Sequence, residues 1–376
     1  MARVTDLPCE VIIAVFKQLN RIRFLLSCLL TCRHFYYSYK ANPRLAIEII
    51  KQQVGPALLT YSIAAQEASR SPSPHVRLSA TKLLETLRNK PDILIDRLRD
   101  YPLVALVQLG HMHDLVEKYA NEFAAEAWRY TNEPLLQPSD RFPFSDRLSL
   151  SPTEQFRFYR AFYRVELYFR LFRDDNTRTL IDQFFSGHSP WENEQLACIN
   201  KYLCQKYYPE LISWKTWSES IGLTHSAPHG TWYSLRTDYW VSKGLDLINQ
   251  LENTTSRKEQ QSLLTAGYRY SSYFRHPDIR YYSAMQSATA ADYYERGGSL
   301  TALYKDKEDS DIGPLTAWKE TITWAGETWI AENKANRLYA YVLWDLTRIQ
   351  KYDMLNFFLV NQGETVGCGG MGYRSE

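Results

Sequence analysis

The chain has 376 residues, of which 45% are apolar and 23% charged, and its 44 basic residues nearly balance its 42 acidic ones, giving a net charge of +2. This balance is typical of a folded globular protein and excludes a broadly basic nucleic-acid-binding chain. The longest apolar runs, residues 24–32 and 103–110, are too short to cross a bilayer. We see no secretory signal and therefore expect reduced cysteines and a cytoplasmic or nuclear protein.

The first 45 residues contain three short helical patterns. Between Pro8 and Leu19 the apolar residues recur at steps of three and four, which predicts a helix with Pro8 in its first turn. A second apolar block covers residues 24–30, and residues 33–40 are aromatic and basic. Three helices of this size cannot bury a core alone, so we expect them to need a partner or an attached domain.

The rest of the chain also has helical periodicity, with no fixed repeat and no alternating strand pattern. Helices are predicted over residues 74–88, 102–130 with a bend at Gly110, 151–172, 192–204, 239–251, 283–295 and 331–358. Exposed loops are predicted at residues 131–150, 222–230, 253–258 and 305–314. Three of these loops (131–150, 222–230 and 305–314) are candidate contact sites for a target, because loops commonly carry binding residues.

The clearest helical signal begins at residues 151–154, where the sequence SPTE forms a capping box with proline at the first helical position. Aromatic and apolar residues then recur at helical spacing up to residue 172, and Arg157, Arg160 and Arg164 lie on another face. Aromatic rings that stack on RNA bases must be exposed, so we favour core packing for this stripe. The arginines are expected to be solvated or paired with acids such as Glu166.

No segment combines the residues and the context of a catalytic or metal-binding motif. Residues 367–372 match GxGxxG, but only four residues follow, so no helix can present its N-terminus to a phosphate. His111 and His113 point to different sides of a helix, and we favour a polar helix surface there over a metal site. His225 and His229 are four apart but separated by a proline. We therefore predict no cofactor, no metal and no catalytic residue.

The N-terminal segment carries a more specific pattern. Residues 7–19, LPCEVIIAVFKQL, resemble the first helix of an F-box, commonly LPxELLxxIFxxL, and residues 25–35, LLSCLLTCRHF, resemble its second half, LLxLxLTCRxF. Phe24 stands where F-box sequences usually have Asp, and the turn at residues 20–23 is one residue longer than usual. Looser similarity to the C-terminal regions of fungal F-box proteins is found at residues 109–116, 158–168, 190–192 and 341–345.

The helical periodicity and the resemblance together predict an all-α protein with an F-box at residues 1–45, a connecting helix and linker at 46–75 and a large irregular helical domain at 76–360. The glycine-rich residues 361–376 are expected to form a flexible tail. The resemblance implies a non-catalytic substrate receptor of a Skp–cullin–F-box ubiquitin ligase. The expected partners are a Skp-type adaptor, a cullin scaffold and an unidentified protein target, with no nucleic acid and no membrane. The adaptor contacts are expected among Leu7, Pro8, Glu10, Val11, Ile12, Val15, Leu19, Leu25, Leu26 and Leu29.

Three alternatives stay open at this point. The N-terminal segment can be an ordinary helical hairpin packed on the rest of the chain. An F-box-containing scaffold would bind the adaptor but work outside a ligase, and it would co-purify without a cullin. An enzyme would assemble its site from the C-terminal helices, for example around His225 and His229, and would contain a deep polar pocket that joins acids and histidines.

Overall fold

The structure is a computed structural model, and it describes residues 7–69, 76–132, 148–172, 178–207, 240–265, 308–321 and 336–360. These residues form sixteen α-helices and two 3-10 helices with no β-strand among them, which confirms the predicted all-α class. No helix in the described ranges is both long and apolar enough to span a membrane.

The helices run in chain order as follows: α1 (Cys9–Phe16), α2 (Ile22–Thr31), α3 (Arg33–Ala41), α4 (Arg44–Val54), α5 (Pro56–Ser69), α6 (Val76–Asn89), α7 (Pro91–Asp96), α8 (Leu103–Asn132), α9 (Pro152–Phe172), α10 (Arg178–Phe185), α11 (Pro190–Lys206), α12 (Leu245–Asn253), α13 (Arg257–Thr265), α14 (Gly313–Thr321), α15 (Leu346–Lys351) and α16 (Met354–Val360). The 3-10 helices are Arg97–Asp100 and Asn336–Tyr339.

Helix α9 is the centre of the fold. It packs most extensively on α5 and also on α8 and α11, and 16 of its 21 residues are buried. The predicted capping box is confirmed, because the Ser151 amide donates to Glu154 Oε2 and the Glu154 amide donates to Ser151 Oγ, both at 3.0 Å. The aromatic stripe lies inside the core, as predicted, and so offers no exposed ring to a nucleic acid base.

The arginines of α9 also point into the protein. Arg157 and Arg160 have no exposed side-chain surface, and Arg164 is buried as well. Arg157 Nε donates to Asp309 Oδ2 at 2.6 Å, and Arg164 Nη1 donates to Glu192 Oε1 at 2.7 Å. Of the two expectations for these arginines, pairing with acids is confirmed and a solvated face is wrong. Because other elements surround α9, its charges are paired with acids that are distant in sequence.

The loop expected at residues 305–314 is partly internal in its described part, which begins at residue 308. Asp309 is buried, and its carboxylate accepts hydrogen bonds from Arg157 and from the Asp311 amide. Helix α14 begins immediately after this segment, at Gly313. The predicted loop is present at residues 308–312, and Glu308, Ser310 and Ile312 are exposed as expected. The prediction misses Asp309, which is buried because it neutralises a buried arginine.

The predicted helix over residues 331–358 was also wrong in its described part. The chain forms a 3-10 helix, a turn, and then the two short helices α15 and α16. Ala340 and Asp353 have φ angles of 52° and 49°, the left-handed region that a right-handed α-helix cannot include.

Side chains from other helices satisfy the carbonyl groups of this turn. Arg157 Nη1 donates to the Leu343 carbonyl at 2.8 Å, and Gln195 Nε2 donates to the Val342 carbonyl at 3.1 Å. Buried backbone carbonyls need such partners when they are not part of a helix. Helical spacing alone could not reveal that α9 and α11 would supply them.

The segment predicted as a connecting helix and linker, residues 46–75, contains most of α4 and all of α5. Nine of the 14 residues of α5 are buried, and this helix packs along α9. The segment thus contributes directly to the core that joins the two predicted domains. Several predicted features lie outside the described residues: the helix at 283–295, the loop at 222–230, His225, His229, the tail at 361–376 and most of the loop at 131–150.

Helix α2 is fixed against α8 by a close crossing. A Cβ atom on Gly110 would lie 2.3 Å from Cγ2 of Ile22, so only glycine allows this approach. Gln53 bridges the crossing, because its Oε1 accepts from the Ile22 amide at 3.0 Å and its Nε2 donates to the Gly110 carbonyl at 3.1 Å. Arg21 pairs with Asp114 at 2.5 Å, and also with Glu117. These contacts hold α2 and the residue before it on α8.

Candidate docking surface

Helix α1 is apolar on two sides, and the chain covers only one of them. Ile12 and Phe16 are each 2% exposed, and the Phe16 ring packs edge-on against Phe35 with ring centroids 5.5 Å apart. On the other side Val11 is 43% exposed and Val15 is 56% exposed. A helix that is apolar all round is normally buried all round. The outer side of α1 therefore has the composition of a contact surface.

Leu7 and Pro8 extend the outer side beyond the start of the helix. Both are exposed, and the Leu7 carbonyl lies 2.9 Å from Nε2 of His34, which ties this part of the chain to α3. Glu10 is exposed in the first turn, where a carboxylate stabilises the positive end of the helix dipole. The α1 stripe is defined here as the exposed apolar residues of this side: Leu7, Val11, Ala14 and Val15.

The ten predicted adaptor contacts are divided by their exposure. Those exposed are Leu7, Pro8, Glu10, Val11 and Val15. Those partly covered are Leu19 and Leu26, and those buried in the chain's own core are Ile12, Leu25 and Leu29. The buried group offers no surface to a partner in this conformation, so the exposed part of the set is concentrated on α1.

Leu30 is an exposed residue that the sequence reasoning did not select. At 79% it is more exposed than any other large apolar residue in the described ranges. Phe24, also on α2, is 41% exposed, with the Arg23 guanidinium 5.0 Å from its ring centroid. The buried residues Ile22 and Leu25 define the inner side of α2, and Leu30 lies away from it; spacing alone does not identify that side, because the crossing with α8 sets it.

The histidines of α8 differ from each other. His111 is exposed, and its Nε2 lies 3.2 Å from Asp246 Oδ1, a hydrogen bond that raises the pKa of the imidazole. His113 is buried, with Nδ1 2.8 Å from the Tyr163 hydroxyl, and burial lowers its pKa to about 4. A polar helix surface was thus the wrong expectation for His113. The two imidazoles have separate partners, as their spacing predicted.

Within the described residues we find little that resembles an enzyme site. No three His, Cys, Asp or Glu side chains in these ranges form a group that could hold a metal ion. The space beside α9 is filled by packed rings, for example Phe158 against Trp344 at 5.3 Å and against Phe123 at 5.7 Å. A surface hollow between α12 and α13 is lined by polar residues with a single carboxylate, Glu259.

Comparisons with known proteins gave no relative. No protein-family model, curated protein or solved structure matches this chain. The N-terminal helices and their uncovered apolar side are therefore the observations on which a functional proposal can rest.

Proposed function

We propose that the chain is the substrate-receptor subunit of a Skp–cullin–F-box ubiquitin ligase that acts in the cytoplasm or nucleus and has no catalytic activity of its own. The observation that carries this proposal is the α1 stripe, which the chain leaves uncovered at the position where its sequence resembles an F-box. Contiguous exposed apolar surface is typical of protein–protein contact sites. A Skp-type adaptor is the partner that the resemblance implies for this surface.

The proposed adaptor contacts are narrower than the set named from the sequence. They comprise the exposed members of that set together with the partly covered Leu26: Leu7, Pro8, Glu10, Val11, Val15 and Leu26. Ile12, Leu25 and Leu29 support this surface from within the core. Truncating the buried residues would therefore test stability, whereas changes in the exposed residues test binding.

The larger helical domain is proposed to bind the protein target. The crossing of α2 and α8 at Gly110 supports a receptor of this kind, because Gln53 and Arg21 fix the N-terminal helices to the domain. A target held on the domain would then keep a constant position relative to the adaptor and the cullin scaffold. Such positioning is what a receptor must provide when it brings a target to a separate ubiquitin-transferring subunit.

The decisive experiment uses two charges placed in the α1 stripe. The purified chain is expected to co-elute with a Skp-type adaptor, and Val11→Asp/Val15→Asp should weaken the complex at least about a hundredfold, because two carboxylates would be buried without partners. Ile93→Asp/Val104→Asp is the matched control, since these residues are 45% and 63% exposed on α7 and α8. Calorimetric titration measures each affinity, and circular dichroism checks that both variants fold.

The outcomes separate the proposals. Equal affinity of the Val11→Asp/Val15→Asp variant and the control would show that the adaptor uses another surface. Failure of the unmodified chain to bind any Skp-type adaptor rejects the receptor function. If the chain and adaptor form a complex that excludes a cullin, the chain is a scaffold that acts outside a ligase.

A further inference from the structure

Positive charge is concentrated in the N-terminal helices. Residues 7–45 contain six basic residues and one acidic residue, a net charge of +5, whereas the whole chain has +2 and the remaining residues together carry −3. The basic residues are Lys17, Arg21, Arg23, Arg33, Lys40 and Arg44. Arg21 and Arg23 pair with acids on α8, and Lys17 pairs with Glu48 on α4, so among the described residues the unpaired charge belongs to Arg33, Lys40 and Arg44.

Helix α3 presents part of this charge together with aromatic rings. Arg33, Tyr36, Tyr37 and Lys40 follow helical spacing and are all exposed, the tyrosines to 46% and 60%. They are named here the α3 stripe. Arg44, the first residue of α4, is exposed as well. In the part of the chain that the structure describes, Arg33, Lys40 and Arg44 form no ion pair.

The composition of this surface indicates its partner. Tyrosine and arginine are enriched in the buried centres of protein interfaces, and unpaired cations favour a partner that supplies carboxylates. Helix α3 packs directly on α1, so the axes of the two helices lie about 8–10 Å apart, within the footprint of one partner. A nucleic acid would satisfy the cations but would leave the apolar α1 stripe uncovered.

We propose that the α3 stripe and Arg44 bind carboxylates on an acidic face of the same adaptor that covers the α1 stripe, and that this charge complementarity accelerates association. The inference rests on the proposed receptor function and adds the chemical class of the partner surface. Complementary charge raises association rates, and salt suppresses the effect because it screens exposed charges.

Charge reversal tests the inference. Arg33→Glu/Lys40→Glu/Arg44→Glu is compared with Lys82→Glu/Lys90→Glu/Arg99→Glu, which makes the same change in net charge at exposed positions on α6, at the residue before α7 and on the 3-10 helix that follows α7. At about 50 mM salt the first variant should bind a Skp-type adaptor at least about tenfold more slowly than the control variant. At about 500 mM salt the two association rates should agree within about twofold.

A neutral variant guards against a folding artefact. Arg33→Gln/Lys40→Gln/Arg44→Gln should slow association by an intermediate factor, since it removes attraction without adding repulsion. Equal association rates of the charge-reversal and control variants at low salt overturn the inference about the α3 stripe. In that case, the complex between the chain and the adaptor still supports the receptor function. If the unmodified chain binds no adaptor at either salt, both proposals are rejected. If the α3 stripe binds a labelled single-stranded oligonucleotide and its reversal leaves adaptor association unchanged, the stripe is a nucleic-acid site instead.

Discussion

Helices α3 and α9 are both rich in aromatic and basic residues, yet the protein uses them in opposite ways. In α9, 16 of 21 residues are buried, and in α3 only Ser38 of nine residues is buried. Arg157 on α9 is enclosed by carboxylates, whereas Arg33 on α3 faces solvent. Composition and helical spacing therefore do not determine whether a helix is buried. Burial depends on how many elements surround the helix and on whether they carry acidic residues that pair with its arginines.

The surroundings of the two helices differ accordingly. Helix α9 is enclosed by α5, α8 and α11. Its arginines find their partners on α5, on α11, in the segment 308–311 and in the turn that precedes α15. Helix α3 packs mainly on α1 and α2, which have few acids of their own. A change in α9 should therefore alter the free energy of unfolding. An exposed residue of α3 should affect binding with little effect on folding.

The largest expected effect is from Arg157→Ala. Its guanidinium donates to Asp309 and lies 3.2 Å from Asp345, so its removal leaves the buried carboxylate of Asp309 without a cation. We expect the free energy of unfolding to fall by about 3–5 kcal/mol, measured by chemical denaturation. Arg33→Ala on α3 is the matched control and should cost less than about 0.5 kcal/mol. Similar losses for both variants would break the comparison.

The next effect is a dependence of stability on pH at His113. Its pKa is about 4 in the folded chain and 6.5 in the reference state, because burial against Tyr163 disfavours the charged imidazole. Above pH 6.5 the imidazole is neutral in both the folded and the unfolded chain, and the folded state has its full stability. As the pH falls from 6.5 towards about 4, only the unfolded chain takes up this proton, and stability is lost. Between pH 7 and pH 5 we expect the free energy of unfolding to decrease by about 2 kcal/mol because of this residue. His113→Gln should remove that part of the pH dependence.

His111 on the same helix provides a control of opposite sign. Its pKa is raised by Asp246, so its stabilising effect is present below pH 6.5 and is lost as pH rises through the folded-state pKa. His111→Gln should therefore slightly reduce stability at low pH and leave the loss caused by His113 in place. If the free energy of unfolding of His113→Gln depends on pH in the same way as that of the unmodified chain, the buried imidazole of His113 does not cause the loss of stability at low pH. His188 has a pKa lowered to about 3 by burial and would then be tested in the same way.

A smaller effect is expected at the crossing that joins the two regions. Gly110→Ala places a Cβ atom 2.3 Å from Ile22, and such overpacking costs about 1–3 kcal/mol. In an Ile22→Ala background the same substitution should be neutral or stabilising, because the removed side chain leaves space for the new methyl group. Thermal or chemical unfolding of the four chains gives the coupling energy. If the effects of Gly110→Ala and Ile22→Ala on the free energy of unfolding are additive, α2 and α8 do not approach each other as closely at Gly110 as the structure shows.

Local signals in the sequence predicted the all-α class, the capping box at Ser151 and the buried aromatic stripe of α9. Each depends on residues within a few turns of one helix, so spacing was sufficient. The burial of Arg157 depends on Asp309, 152 residues away, and the turn after Tyr339 depends on side chains from α9 and α11. Contacts of this range leave no periodic pattern.

The same distinction applies to the candidate surface. The sequence predicted that α1 carries more apolar surface than the N-terminal helices can bury, and Val11 and Val15 are indeed exposed. It could not decide which leucines of α2 face inward, because that depends on the crossing with α8. Leu25 is buried by this packing, whereas Leu30, five residues later, is exposed.

The smallest effect on stability is expected from Tyr37→Ala. This ring is 60% exposed on α3, so its truncation removes little buried area, and the free energy of unfolding should change by less than about 0.5 kcal/mol. Tyr168→Ala on α9 removes a fully buried ring that packs on Phe172 at 4.8 Å, and it should cost about 3–5 kcal/mol. Chemical denaturation of both variants measures this difference. A loss above about 1.5 kcal/mol for Tyr37→Ala would mean that α3 is covered by the chain itself, and it would remove the surface on which the inference of an acidic partner rests.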